Sequence, residues 1–214
     1  MFEVTGIYLV TDRAMCGKRP VFEVVAEAVR GGVRMVQVRE KELSTRAFID
    51  EARRIKEVLA PLRVPLIIND RVDVALAVGA DGVHLGQNDM PPKEARKIMG
   101  EEAIIGLSVE TWEDVLKAEA EEVNYLGVSP IFPTPTKTDT KGVWGIEGLR
   151  RIREFSRHPL VAIGGLKVDN MIPVLEAGAD AIAVVSAICA APDPFFAARS
   201  LCEIYEKYGH KKIK

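Results

Sequence analysis

Nowhere does the chain approach 18 uninterrupted apolar residues, so no membrane-spanning helix is expected. The opening MFEVTGIYLVTDR lacks a basic leader region and a small-residue cleavage site, which points to a cytoplasmic protein. Cysteine is scarce: Cys16, Cys189 and Cys202 are odd in number, far apart and form no Cys-x-x-Cys pair, so neither a disulfide framework nor a zinc site is expected. Excess charge is missing too. Lys plus Arg number 29 against 31 for Asp plus Glu, and the net charge of −2 removes the bulk electrostatic case for a nucleic-acid or anionic-membrane partner. Any basic site must be local. Of the three histidines, His158 stands before Pro159 and His210 in the tail, and no Ser-His-Asp order or nucleophilic cysteine context is present. Linkers and low-complexity tracts are absent, and the basic segment from about residue 207 to 214 reads as a solvated tail.

What is present is alternation. Short apolar runs recur eight times: IYLVT from Ile7, MVQV from Met35, PLIIN from Pro65, GVHL from Gly82, AIIGL from Ala103, YLGVS from Tyr125, LVAIG from Leu160 and AIAVV from Ala181. Segments of helical periodicity separate most of them, among them VFEVVAEAVRGG, TRAFIDEARRIKEVL and PKEARKIM. Continuous apolar strands joined by crossover helices form a parallel sheet buried on both faces. Eight such units in 214 residues, 48% of them hydrophobic, predict an α/β protein, a (β/α)8 TIM barrel formed as a single domain over residues 1–214. Gly31-Gly32, Gly79 and Gly178 follow helices and precede strands, where a left-handed glycine ends a helix. Apolar helix faces do not divide themselves between core and subunit interface, so no oligomeric state follows.

Barrel ligands sit at the C-terminal ends of the strands, and here those ends are polar. In QVREK, strand periodicity puts Gln37, Arg39 and Lys41 on one side if Val36 and Val38 face the helices. An Arg at a strand end is commonly solvated or ion-paired. A second cation on another loop, Lys137, turns the reading toward a phosphate or pyrophosphate site. Asp70 and Asp89 end strands three and four, neighbours about 4.8 Å apart, so both carboxylates reach one cation. Two carboxylates among oxygen donors suit Mg²⁺, which keeps waters and takes phosphate oxygens. The plainer alternative makes both aspartates helix N-caps. Ile163-Gly164-Gly165 and Val185-Ser186-Ala187, after strands seven and eight, lie where barrels bind phosphate, although paired glycines are also ordinary turns. His84, inside an apolar strand, reads as a satisfied core histidine without a part in the chemistry.

The segment GVSPIFPTPTK, residues 127 to 137, cannot be helix or ladder, because each proline removes a donor and fixes φ. Pro130, Pro133 and Pro135 predict an extended, pre-shaped loop that offers Thr134, Thr136 and Lys137 to an anion.

Together YLVTD (8–12), QVREK (37–41), NDR (69–71), GADGVHLGQND (79–89), GLS (106–108), SPIFPTPTK (129–137), AIGG (162–165) and AVVSAI (183–188) resemble the thiamine phosphate synthase family over nearly the whole chain. The resemblance implies a transferase of thiamine biosynthesis. It would condense 4-amino-2-methyl-5-hydroxymethylpyrimidine diphosphate with a thiazole phosphate, giving thiamine phosphate and pyrophosphate. It also implies that Gln37, Val38, Arg39, Glu40, Lys41, Asn69, Ser108 and Lys137 bind the pyrimidine diphosphate. Thr134, Pro135, Thr136, Gly165, Val185 and Ser186 would then hold the thiazole phosphate, and Asp70 and Asp89 one Mg²⁺ per site. Arg39, Lys41, Ser108 and Lys137 are the expected catalytic groups, stabilising a leaving group rather than attacking. The segment SVETWED departs from the family pattern, and its Glu110 reads as decoration of a helix N-terminus. The competing readings are a thiazole tautomerase of the same superfamily and a non-catalytic phosphate-ligand sensor.

Overall fold

The eight β-branched runs become eight short strands: β1 Gly6–Val10, β2 Met35–Val38, β3 Leu66–Asn69, β4 Gly82–Leu85, β5 Ile104–Val109, β6 Tyr125–Val128, β7 Leu160–Ile163 and β8 Ala181–Val184. In the computed structural model, which describes residues 3–134 and 142–209, every neighbouring pair is parallel and β8 closes on β1. The expected (β/α)8 barrel is the architecture. Crossovers are α2 Val21–Arg30, α3 Thr45–Leu59, α4 Val72–Val78, α5 Pro92–Met99, α6 Trp112–Ala118, α7 Gly145–Phe155 and α8 Met171–Glu176, with α10 Pro194–Tyr208 packed after β8. Two single-turn helices, α1 Arg13–Cys16 and α9 Ser186–Cys189, sit in the loops after β1 and β8.

Period-two alternation divides the apolar residues into two cores. Ile7, Leu9, Val36, Val38, Ile68, Leu85 and their equivalents face outward and pack under the helices. Tyr8, Val10, Met35, Ile67, Ile104, Tyr125, Val161 and Ala183 face inward and fill the barrel. Local chemistry bounds the helices at both ends. Thr111 and Asp114 form a reciprocal capping box on α6, Ser44 and Asp193 cap α3 and α10, and Gly79 ends α4 in the left-handed region. After α2 it is Gly32, at φ 110°, that turns the chain, while Gly31 keeps a helical φ of −73°. At the other end, α10 runs through Lys207 and Tyr208, so the tail starts later than expected, and residues 210–214 lie outside the described residues. Among the described residues no helix is long and apolar enough to cross a membrane.

Filling the barrel with two tyrosines and a histidine requires space elsewhere in the same layer. A Cβ on Gly106 would lie 2.1 Å from the Tyr125 ring and 2.6 Å from His84 Nδ1. That ring is fully buried and cannot withdraw. Gly106→Ala is therefore expected to lower stability by about 1–3 kcal/mol, read as a lower denaturant midpoint at unchanged slope. An unchanged midpoint would show that the layer has slack.

Candidate active site

The alternation that fills the barrel also sets its mouth. Gln37, Asn69, His84 and Ser108 are the inward residues closing β2, β3, β4 and β5, and the register pairs Asn69 with His84 directly. They line a cavity of about 380 Å³ at the C-terminal ends of the strands, a size that suits a small organic ligand. Beneath it runs a hydrogen-bonded chain across five strands. Gln37 Nε2 donates to the Tyr8 hydroxyl at 2.9 Å, which meets the Tyr125 hydroxyl at 2.9 Å. Tyr125 in turn meets His84 Nδ1 at 3.0 Å, and His84 Nε2 meets Ser108 Oγ at 2.8 Å.

Burial pushes both phenols well above their usual range, so both stay neutral. His84 is satisfied, as expected, yet it lines the cavity instead of hiding in a core, stacked at 5.5 Å on Tyr125. Its place between the helix-facing Val83 and Leu85, which turns it inward, was the available signal. Tyr125→Phe removes the shared hydroxyl and leaves the buried Tyr8 O–H without an acceptor. The expected loss is about 1–3 kcal/mol of unfolding free energy, measured by denaturant titration.

On one rim stand the charged groups. Asp70 holds a left-handed φ of 60°, with its N–H donating to the carbonyl of His84, and its carboxylate accepts from Lys41 Nζ at 2.5 Å. It does not cap α4, whose N-cap position is Arg71. Asp89 likewise caps no helix: it accepts from the Gly86 N–H at 2.7 Å across a tight turn. The N-cap alternative is thus set aside, and the two carboxylates face each other. Burial raises the Asp70 carboxyl, but Lys41 and Asp89 outweigh it and hold it below the usual range. Asp89 is pushed up, first by burial and then by Asp70. Beside them Arg39 lines the cavity, with Nη1 3.8 Å from Asp12.

Across the cavity, the loop after β6 is pinned at its base. Ile131 and Phe132 N–H groups donate to the carbonyls of Ile163 and Gly164, while Trp144 and Gly145 donate back to Pro130 and Ile131. This close approach explains Gly164-Gly165. Both have positive φ, 105° and 66°, and a Cβ on Gly164 would lie 2.6 Å from that of Pro130. Thr134, Gly165, Val185 and Ser186 line this side. Pro135, Thr136 and Lys137 lie outside the described residues.

Not every expected contact points inward. Val38 packs under the helices. The Glu40 carboxylate turns toward Arg13 and does not line the cavity, whereas its neighbours Arg39 and Lys41, just past the end of β2, do. Glu110, by contrast, lines the mouth; the capping of α6 belongs to Thr111 and Asp114. Among the described residues no cluster of three or more His, Cys, Asp or Glu side chains could hold a metal ion. The fit for a cation rests on two facing carboxylates with room for water and ligand oxygens, a donor set that suits Mg²⁺.

Fold and mouth together define a (β/α)8-barrel protein with a mixed acidic and basic site at the strand ends. The family model described as thiamine monophosphate synthase matches residues 7–188, and the chain belongs to that family. A thiamine-phosphate synthase of Albidiferax ferrireducens is 57% identical over 94% of this chain and 91% of its own length. Another, from Leptospira biflexa, is 53% identical over 90% and 93%. The solved thiamine phosphate pyrophosphorylase of Pyrococcus furiosus is 41% identical over 95% of this chain and 96% of that one, with a TM-score of 0.87. A 3-hexulose-6-phosphate synthase, 16% identical over 94% and 99% with a TM-score of 0.69, shares the fold.

Proposed function

We propose that the protein is a thiamine-phosphate synthase: it joins the pyrimidine diphosphate to a thiazole phosphate and releases pyrophosphate. The observation that carries this reading is the facing pair Asp70 and Asp89 beside Arg39 and Lys41, in one cavity with Thr134, Gly165 and Ser186 opposite. Two anionic ligands can thus be held at two ends of one site. In the reaction, the C–O bond of the diphosphate ester breaks and its electron pair leaves with pyrophosphate. The carbon left behind is stabilised by the aminopyrimidine, and the thiazole nitrogen lone pair then forms the new C–N bond.

No protein nucleophile is required. Arg39, Lys41 and Lys137 bind the diphosphate and neutralise the charge that builds as it departs. Gln37 and Asn69 orient the pyrimidine, with the Tyr8–Tyr125–His84 chain as a rigid floor. Ser108, its Oγ held by His84, faces the reacting end. Gly165, Val185, Ser186, Thr134, Pro135 and Thr136 hold the thiazole phosphate. Asp70 and Asp89 would hold one Mg²⁺, which when bound offsets the negative charge of the diphosphate.

A tautomerase needs proton transfer from a histidine near β6, and residues 124–137 contain none. A binding-only descendant has no reason to keep Asp70, Asp89, Arg39 and Lys41 together. The test is thiamine phosphate formation from the two purified substrates with and without Mg²⁺. Metal-dependent product is expected; folded protein that forms none would overturn the reading.

A further inference from the structure

The motif YLVTD and the arginine that follows it are not accounted for by substrate contacts, since only Tyr8 and Val10 of residues 8–13 line the cavity. Thr11, Asp12 and Arg13 instead grip the turn after β2, one residue after another. Thr11 N–H donates to the carbonyl of Gln37 at 2.9 Å, and Thr11 Oγ1 accepts from Arg39 N–H at 3.1 Å. Asp12, which also caps α1, stands 3.8 Å from the Arg39 guanidinium. Arg13 Nε lies 3.3 Å from Glu40 Oε1, and its Nη2 lies 3.1 Å from Glu51 Oε1 on α3. The Glu40 side chain is 4% exposed and that of Glu51 12%, and the paired oxygens are shielded from solvent without a hydrogen bond of their own.

Two largely buried carboxylates on one guanidinium are a poor device for stability, because desolvating them offsets most of the Coulomb gain. Burial, with Glu51 nearby, raises the Glu40 carboxyl accordingly. What the arrangement does supply is direction. With Glu40 held backward by Arg13, the residues on either side of it, Arg39 and Lys41, line the mouth. We propose that Glu40 is a positioning residue, acting through Arg13 and Glu51 to aim Arg39 and Lys41 at the diphosphate end of the site. The inference rests on the synthase reading above.

Its test is steady-state kinetics of the full chain with each substrate varied in turn, for wild type, Glu40→Gln, Arg13→Met and the double variant. Wild-type turnover comes first, and its absence would count against the synthase reading alone. Gln keeps the shape and leaves Arg13 balanced by Glu51, so the variant retains a fold. The expected result is a KM for the pyrimidine diphosphate raised about tenfold, with that for thiazole phosphate within about twofold. The double variant is expected to be no worse than the worse single one, because both substitutions break one device. Unchanged values, parallel rises for both substrates, or additive losses would overturn the proposal. Should Glu40→Gln not fold, Glu40→Asp, whose shorter arm withdraws the carboxylate from Arg13, carries the same comparison with the same outcomes.

Discussion

Asp70→Asn is expected to lower Mg²⁺-saturated turnover by about 10²–10³, the size of effect seen when one preorganised electrostatic group is removed from a transition state. Asparagine keeps the side-chain shape and also tolerates the left-handed φ of 60° held by Asp70, so the turn survives while the charge is lost. With its 2.5 Å partner neutralised, the Lys41 ammonium is left with Asp89 as its counter-charge on this rim. Asp89→Asn should show the same direction, and the double variant should lose little beyond the worse single one, because the two carboxylates serve one ion. Turnover measured across a Mg²⁺ titration checks this. A variant whose rate recovers fully at high metal would mean the residue sets affinity alone; one with no change would remove it from the site.

Arg39→Ala carries the second large effect, a fall of about 10²–10³ in kcat/KM for the pyrimidine diphosphate. Its guanidinium is the group at this rim able to engage a phosphate bidentately, and Lys at the same position offers only a point charge. Arg39→Lys should therefore recover only part of the rate. The position reaches the cavity by a chain of local causes: its place just past the end of β2, the Thr11 hydroxyl on its N–H and the Asp12 carboxylate 3.8 Å from its guanidinium. The thiazole phosphate KM should stay within about twofold, since Gly165, Val185 and Ser186 lie on the opposite side of the cavity. Kinetic runs with each substrate varied separate these outcomes, and equal losses for both would contradict the assignment of Arg39 to one end.

Legibility followed the period of the strand. Gln37, Asn69 and Ser108 were readable because a strand's side chains alternate and barrel ligands sit at one end of it, and Arg39 and Lys41 follow in the same motif just past β2. His84 obeys the same rule, but its apolar neighbours Val83 and Leu85, both helix-facing, make it look like core. Tyr8 and Tyr125 were invisible as a site because aromatic residues in strands are ordinary, and their hydroxyls meet only when β1 and β6 close across the barrel. Glu40 sits inside the same motif, but its pairing with Arg13 appears only when the turns after β1 and β2 come together.

Composition, the βα alternation and the polar strand ends determined the barrel, the end of it that carries the site, and the family, because each is written in local periodicity or in contiguous motifs. Tertiary structure alone decided that Asp70 and Asp89 face each other instead of capping helices, that Gly106 is empty so that Tyr125 can fill its layer, and that Arg13 holds Glu40 and Glu51 together. Those contacts join residues far apart in the chain. Their geometry is set by strand register and barrel closure, which no local stretch of sequence encodes.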